Sequence, residues 1–194
     1  MELWIATGND HKMAEFRMLL QSTGLTLKSQ KELLAYFSPP ETGKTFLDNA
    51  KIKAKSLFAV KPDQWVMAED SGICADGLSG QPGIYSARYA GDNATDVENT
   101  AKLLQMLRIR SPTKREASFI SCIVIRNPKG EEFSFEGKLS GKITEAARGT
   151  TGFGYDPVFI PEGETKTLAE LGDAFKNRIS HRAKAVQAAL HLFR

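Results

Sequence analysis

The apolar run Trp65-Val66-Met67-Ala68 is followed at once by Glu69-Asp70-Ser71-Gly72. A short apolar segment of this kind reads as a buried strand, and two adjacent acids closed by glycine form a chemical tip on it. In open α/β sheets, ligands lie beyond the carboxyl ends of strands, where a carboxylate can hold a divalent cation or take a proton from water. The same residues also suit a solvated turn, because Asp, Ser and Gly favour turns for local backbone reasons. From this run alone the two readings stand level.

The chain has 194 residues, enough to bury a sizeable core as one domain or two tightly joined lobes. Its net charge of +3, from 26 basic and 23 acidic residues, is too small an excess to announce a nucleic-acid or membrane surface, and suits a small anionic ligand equally well. Cys74 and Cys122 have no CxxC spacing and read as reduced core residues. The start Met1-Glu2-Leu3-Trp4 lacks the pattern of a signal peptide, and no window reaches the length of a membrane span. The expected compartment is the cytosol, and no internal repeat or linker divides residues 1–194 into separate domains.

Periodicity gives a mixed α/β order. Leu3 to Thr7 is strand-like, and Met13, Phe16 and Leu20 then mark a helix from Lys12. Phe46, Ala50, Ala54 and Leu57 mark a second helix, and Trp65 to Ala68 a strand, before a glycine-rich stretch from Gly72 to Gly91. Thr95 and Glu98 have the spacing of a capping box, opening a helix whose expected apolar face is Val97, Ala101, Leu104 and Leu107. Ser118 to Ile125 and Glu132 to Gly141 flank the turn Asn127-Pro128-Lys129-Gly130 as a hairpin. A polar loop is expected after Phe159, then a closing helix on Ala183, Val186, Leu190 and Phe193 with Ser180 as its N-cap.

Several segments bear chemistry. Thr7-Gly8-Asn9-Asp10-His11-Lys12 joins a strand to a helix, where free N–H groups and the helix dipole favour an anion. It has neither the GxxxxGK[ST] nor the GxGxxG spacing, so it also reads as a plain turn capped by Asn9 or Asp10. Glu41 follows Pro39-Pro40 in a stiff loop. Lys51, Lys53 and Lys55 spread around one helix at about 100° per residue, and Lys53, three residues after Ala50, is the one placed to turn inward. Ser79 to Tyr89 reads as a lid or an ordered Ω-loop. Gly152-Phe153-Gly154-Tyr155-Asp156 sets aromatic rings and a carboxylate among glycines, a composition for stacking a base or for a buried β-bulge. Ser180-His181-Arg182 offers donors at a helix start, with no spacing for a nucleophile triad.

Taken in order, Thr7-Gly8-Asn9 with Lys12, Glu41-Thr42-Gly43 with Phe46 and Asn49-Ala50, Asp70-Ser71-Gly72, Pro82 to Tyr89, Phe153-Gly154-Tyr155-Asp156-Pro157 and Ser180-His181-Arg182 resemble the Ham1/inosine triphosphatase family over nearly the whole chain. The resemblance implies a single inosine triphosphatase-like domain of α/β class: an elongated mixed β-sheet flanked by helices, with two lobes and a central cleft. It implies a cytoplasmic homodimer that uses Mg²⁺ to hydrolyse non-canonical purine nucleoside triphosphates (dITP/ITP, XTP/dXTP) to the monophosphate and pyrophosphate, with no nucleic-acid or membrane partner.

Residue by residue, Thr7, Gly8, Asn9, Asp10, His11, Lys12 and Lys53 resemble the triphosphate contacts. Glu41 and Asp70 resemble the metal pair, with Asp70 also the proton acceptor, and Ser71 a substrate contact. Phe153, Gly154, Tyr155, Asp156, Lys176, His181 and Arg182 match base-recognising positions. Glu69 stands where many relatives have Asp, and Ala183 where Gly is usual. A Maf-like pyrophosphatase is the rival enzyme reading, against which the Phe153 to Asp156 and Ser180 to Arg182 motifs argue. A nucleotide sensor or RNA-binding module is the non-enzymatic one.

Overall fold

The computed structural model describes residues 1–193. Its first strand, β1 (Glu2–Ala6), is buried at every position after Glu2, as expected of a strand with helices on both faces. Leu3 and Ile5 pack with Met13 and Phe16 of helix α1 (Asp10–Leu19), and with Ala185 and Val186 of α6 (His181–Ala189). Trp4 and Ala6 point the other way, onto Ala50, Ala54 and Leu57 of α2 (Phe46–Val60). The two-residue period of a strand therefore sorts the neighbouring helices.

The sheet has six strands in the order β2-β1-β3-β4-β5-β6, with β2 Thr26–Ser29, β3 Trp65–Ala75, β4 Glu116–Arg126, β5 Glu132–Ile143 and β6 Phe159–Pro161. β1 runs parallel to β2 and β3, with Leu3 opposite Leu27 and Trp65, and β5 and β6 are antiparallel, with Ile143 opposite Phe159. The fold is a mixed α/β sheet flanked by helices, as expected.

The chain divides into two compact units, each assembled from separated segments: Met1–Asp70, Ser121–Gly137 and Arg182–Arg194 in the first, Ser71–Ile120 and Lys138–His181 in the second. The second has its own core, in which Ile73 and Ala75 meet Leu103 and Leu107 of α3 (Asp96–Arg110), Phe119 of β4, and Tyr155, Val158 and Phe159. Among the described residues, no helix is long and apolar enough to cross a membrane.

Four expectations need correction. β3 does not end at the acids: it continues through Glu69-Asp70-Ser71-Gly72 to Ala75. The acids lie inside the strand, 3% and 6% exposed, because other side chains supply the partners that water gives a turn. Gly72 permits the continuation, since a Cβ there would meet Ser86 Oγ at 2.3 Å and Gly83 O at 2.5 Å.

The buried face of α3 is Asn99, Thr100, Leu103 and Leu107, while Val97 is 78% exposed. Asn99 tolerates burial because it donates to Ala87 O and accepts from Ala90 N. The stretch taken as a polar loop holds α4 (Leu168–Leu171) and α5 (Asp173–Ile179). Thr167 and Glu170 form a capping box that opens α4. Finally, α6 gives way to a 3₁₀ turn over Leu190–Phe193, while Ser180 stands, as expected of its N-cap, immediately before His181 in extended conformation.

Candidate active site

In the first unit, strand alternation separates the two acids of β3. Met67 belongs to the core beneath α1 and α6, Val66 and Ala68 to the core beneath α2. Glu69 therefore turns with Met67 and Asp70 with Ala68.

Glu69 accepts from Ser121 Oγ at 2.8 Å, lies 2.8 Å from Arg182 Nη2 through the same oxygen, and is paired with Lys12 Nζ at 3.0 Å through its other oxygen. Arg182 also pairs with Glu15 and is 1% exposed. Burial works against its guanidinium, but Glu69 and Glu15 outweigh that and hold its pKa above the ordinary value.

On the opposite face, Lys53 Nζ donates to Asp70 Oδ1 at 2.9 Å and to Glu41 Oε1 at 2.8 Å. Asn49, one helical turn before Lys53 on α2, donates to Asp70 Oδ2 at 3.2 Å and accepts from Gly43 N at 2.8 Å. Asn49 thereby ties the Glu41 loop to the strand. Gly43 allows this close seat, for a Cβ there would lie 2.7 Å from Asn49 Oδ1. Burial pushes the Asp70 carboxyl above its ordinary pKa, opposed by the Lys53 charge. Burial also disfavours the Lys53 ammonium, yet Asp70 and Glu41 raise its pKa.

The loop before α1 is a capped turn. Asn9 is the N-cap, its side chain accepting from Lys12 N at 3.1 Å, while Thr7 Oγ1 accepts from Asn9 N at 3.2 Å. Asp10 holds Lys31 at 2.7 Å on the surface, and Gly8 and His11 are exposed. Of this motif, Lys12 alone is joined to the acidic run in the contacts described. Lys51 and Lys55 are exposed, as expected, and Lys51 reaches Glu132 at 3.7 Å.

In the second unit, Asp156 Oδ2 accepts from Lys176 Nζ at 2.6 Å and from Phe153 N at 3.0 Å, and the ammonium lies 4.2 Å from the Phe153 ring centroid. Gly152, at φ +77°, makes room for this, because a Cβ would meet Asp156 Oδ2 at 2.2 Å. Gly154 N donates to Asp96 at 2.7 Å. Tyr155 turns inward, its hydroxyl donating to Ser86 O at 2.7 Å, and burial pushes its pKa up. His181 is buried and stacks on Phe119. The Ser79 to Tyr89 segment carries a 3₁₀ helix over Gly83–Arg88 and is tied to β3 where Ser86 Oγ accepts from Ile73 N at 2.9 Å, while donating to Gly83 O at 2.6 Å.

The structure thus brings Glu41, Lys53 and Asp70 together, and separately Phe153, Asp156 and Lys176. Ser71 is half-buried on β3 next to Asp70. Arg182, expected at a base, has its described ion pairs with Glu69 and Glu15. Asn49, Ser121, Glu15 and Phe119 were not foreseen as site residues. For Asn49 and Glu15 a signal was present: each is a polar residue three or four positions from a site lysine on a helix.

The Glu41 and Asp70 carboxylates share one ammonium, so their oxygens already converge on a cation. Hard oxygen donors of this kind suit Mg²⁺, which is held by one or two carboxylates with substrate phosphates and water completing its shell. Among the described residues, no group of three or more His, Cys, Asp or Glu side chains comes together as a closed metal cage would require.

A match to the Ham1 family runs over residues 3–192. The chain is 52% identical to the dITP/XTP pyrophosphatase of Bdellovibrio bacteriovorus over 191 residues, 98% of this chain and 96% of that protein. It superposes on a HAM1 protein from Coxiella burnetii with TM-score 0.89 at 36% identity, covering 99% and 98% of the two chains. With the Staphylococcus aureus Ham1 protein the TM-score is 0.87 at 37% identity, covering 99% and 97%. The chain belongs to the Ham1 family.

Proposed function

We propose that this protein hydrolyses non-canonical purine nucleoside triphosphates, dITP/ITP and XTP/dXTP, to the monophosphate and pyrophosphate. The observation that carries the reading is the Glu41, Lys53 and Asp70 constellation, two carboxylates and an ammonium converged in a largely buried setting. It occurs in a chain whose relatives include a protein named for this activity.

Glu41 and Asp70 would hold a divalent cation, Mg²⁺ in this proposal, which when bound neutralises phosphate oxygens and makes water more acidic. Lys53, released from the acid pair, and Lys12 add positive charge along the triphosphate, with Thr7 to His11 flanking it and Ser71 as a further contact. Asp70 takes the proton of the attacking water, the α–β anhydride bond breaks, and pyrophosphate leaves with its electron pair. Phosphoryl transfer of this kind needs chiefly positioning and charge neutralisation.

At the base, Phe153 supplies a stacking face, while Gly154, Tyr155 and Asp156 shape the loop beside it. Lys176, His181 and Arg182 complete the base-reading set. A donor such as Lys176 favours the 6-oxo group of hypoxanthine and xanthine over the exocyclic amine of adenine. Both units serve one domain, working as a cytosolic homodimer without nucleic acid.

The test is a pyrophosphate-release screen over ITP, XTP, GTP and ATP and their deoxy forms, with and without Mg²⁺. ITP and XTP turnover well above ATP, and only with metal, is expected. Equal rates on ATP, or turnover indifferent to chelator, would overturn the proposal.

A further inference from the structure

Within the second unit, His181 is the end of an aromatic column. Its ring stacks on Phe119 with centroids 4.8 Å apart and planes 12° from parallel, the offset-stacked geometry that aromatic rings favour. Phe119 in turn meets the edge of Phe159 at 4.8 Å and 60°. Phe159 is fully buried, seated against β5, where a Cβ on Gly141 would lie 2.7 Å from its ring and 2.2 Å from Ile160 O. Three consecutive rings therefore run from the β5–β6 pair to the imidazole, and the absence of a side chain at Gly141 makes room for the first of them.

The only segment between His181 and the end of α5 is Ser180, whose backbone is extended. A flat ring on the face of the imidazole restricts the rotation about χ2 that is otherwise broad for histidine. Phe119 is 7% and His181 4% exposed, so most of the stack is withdrawn from water.

We propose that Phe119 is a positioning residue for base recognition: backed by Phe159 and Gly141, it fixes the plane of the His181 imidazole, through which it acts without touching substrate. This rests on the reading of His181 as a base contact.

The experiment is a double-mutant cycle with Phe119→Leu and His181→Asn, assayed for KM and kcat on ITP, with Phe119→Tyr as the conservative variant and melting curves as a check on folding. Phe119→Leu is expected to raise KM about three- to tenfold, in line with the worth of an aromatic pair, with kcat within about twofold. Phe119→Tyr, which keeps the ring, restores KM, and in the His181→Asn background Phe119→Leu adds nothing further.

An equal effect of Phe119→Leu with and without His181, or a loss confined to kcat, makes Phe119 a packing residue and overturns the proposal. His181→Asn leaving KM unchanged removes the reading of His181 itself, and this proposal with it, a pattern distinct from the other two.

Discussion

The ammonium of Lys53 lies 2.9 Å from Asp70 Oδ1, so the group expected to meet phosphate is engaged with the group expected to hold metal. Lys53 also contacts Glu41 and keeps the two carboxylates from repelling each other. Lys53→Gln leaves both acids uncompensated in a largely buried place, which costs on the order of 1–3 kcal/mol. Urea unfolding in EDTA should show that loss, and added Mg²⁺ should recover part of it. Unchanged stability in EDTA would mean that the triad contributes nothing to the fold.

Asp70→Asn keeps the shape of the side chain and its hydrogen bond with Asn49, but removes the proposed proton acceptor and one carboxylate of the proposed metal pair. Turnover should drop by at least about a thousandfold, while affinity for a non-hydrolysable ITP analogue, measured by calorimetry, falls far less. Near-normal turnover in this variant would exclude Asp70 as the base.

Arg182→Met removes the buried guanidinium that Glu69 and Glu15 share, leaving Glu69 with Ser121 and Lys12. Removal of one partner from a buried ion pair costs about 3–5 kcal/mol, a loss readable by chemical denaturation. If Arg182 made no pair in solution, the variant would be as stable as the parent.

The two cysteines should differ in reactivity. Burial, reinforced by the Glu136 carboxylate, pushes the Cys122 thiol up to about 12, whereas Cys74, also raised by burial, is only partly buried. Iodoacetamide should therefore label Cys74 first in the native protein, as read by mass spectrometry, and reach Cys122 on unfolding. Because the folded thiol of Cys122 holds its proton more tightly than the unfolded one, its contribution to stability is complete below the ordinary value of 9.0 and fades as pH rises toward 12. Faster labelling at Cys122 would contradict its described burial.

Gly72→Ala introduces a methyl group where Ser86 Oγ and Gly83 O already stand at 2.3 and 2.5 Å. Overpacking of this kind costs roughly 1–3 kcal/mol, so the melting temperature should fall by several degrees. An unchanged melting curve would show that the Ser86 segment gives way easily.

What the sequence made legible was the apolar frame. β1, α1 and α2 follow from spacings of hydrophobic residues, and Asn9 and Thr95 from their capping chemistry. The buried face of α3 escaped because Asn99 and Thr100 are polar and satisfied by distant backbone groups, which a hydrophobic pattern cannot register. α4 escaped although Thr167 and Glu170 carry the same spacing as Thr95 and Glu98. At the site, the resemblance paired Glu41 with Asp70, but the bridging of the two by Lys53 was not foreseen, nor was the capture of Arg182 by Glu15, 167 positions earlier in the chain. Long-range ion pairs leave no local period to read.

The division of labour between Glu69 and Asp70 depends only on their being odd and even on one strand. Substitutions along β3 change the chemistry of one face at a time, but gain or loss of a single residue between Trp65 and Glu69 turns both acids to the opposite face: an insertion brings the glutamate to the place of Asp70, a deletion brings the aspartate to the place of Glu69. Between Trp65 and Gly72 the chain therefore tolerates spelling changes far better than changes of length, and residue count there decides which acid meets Lys53 as much as residue identity does.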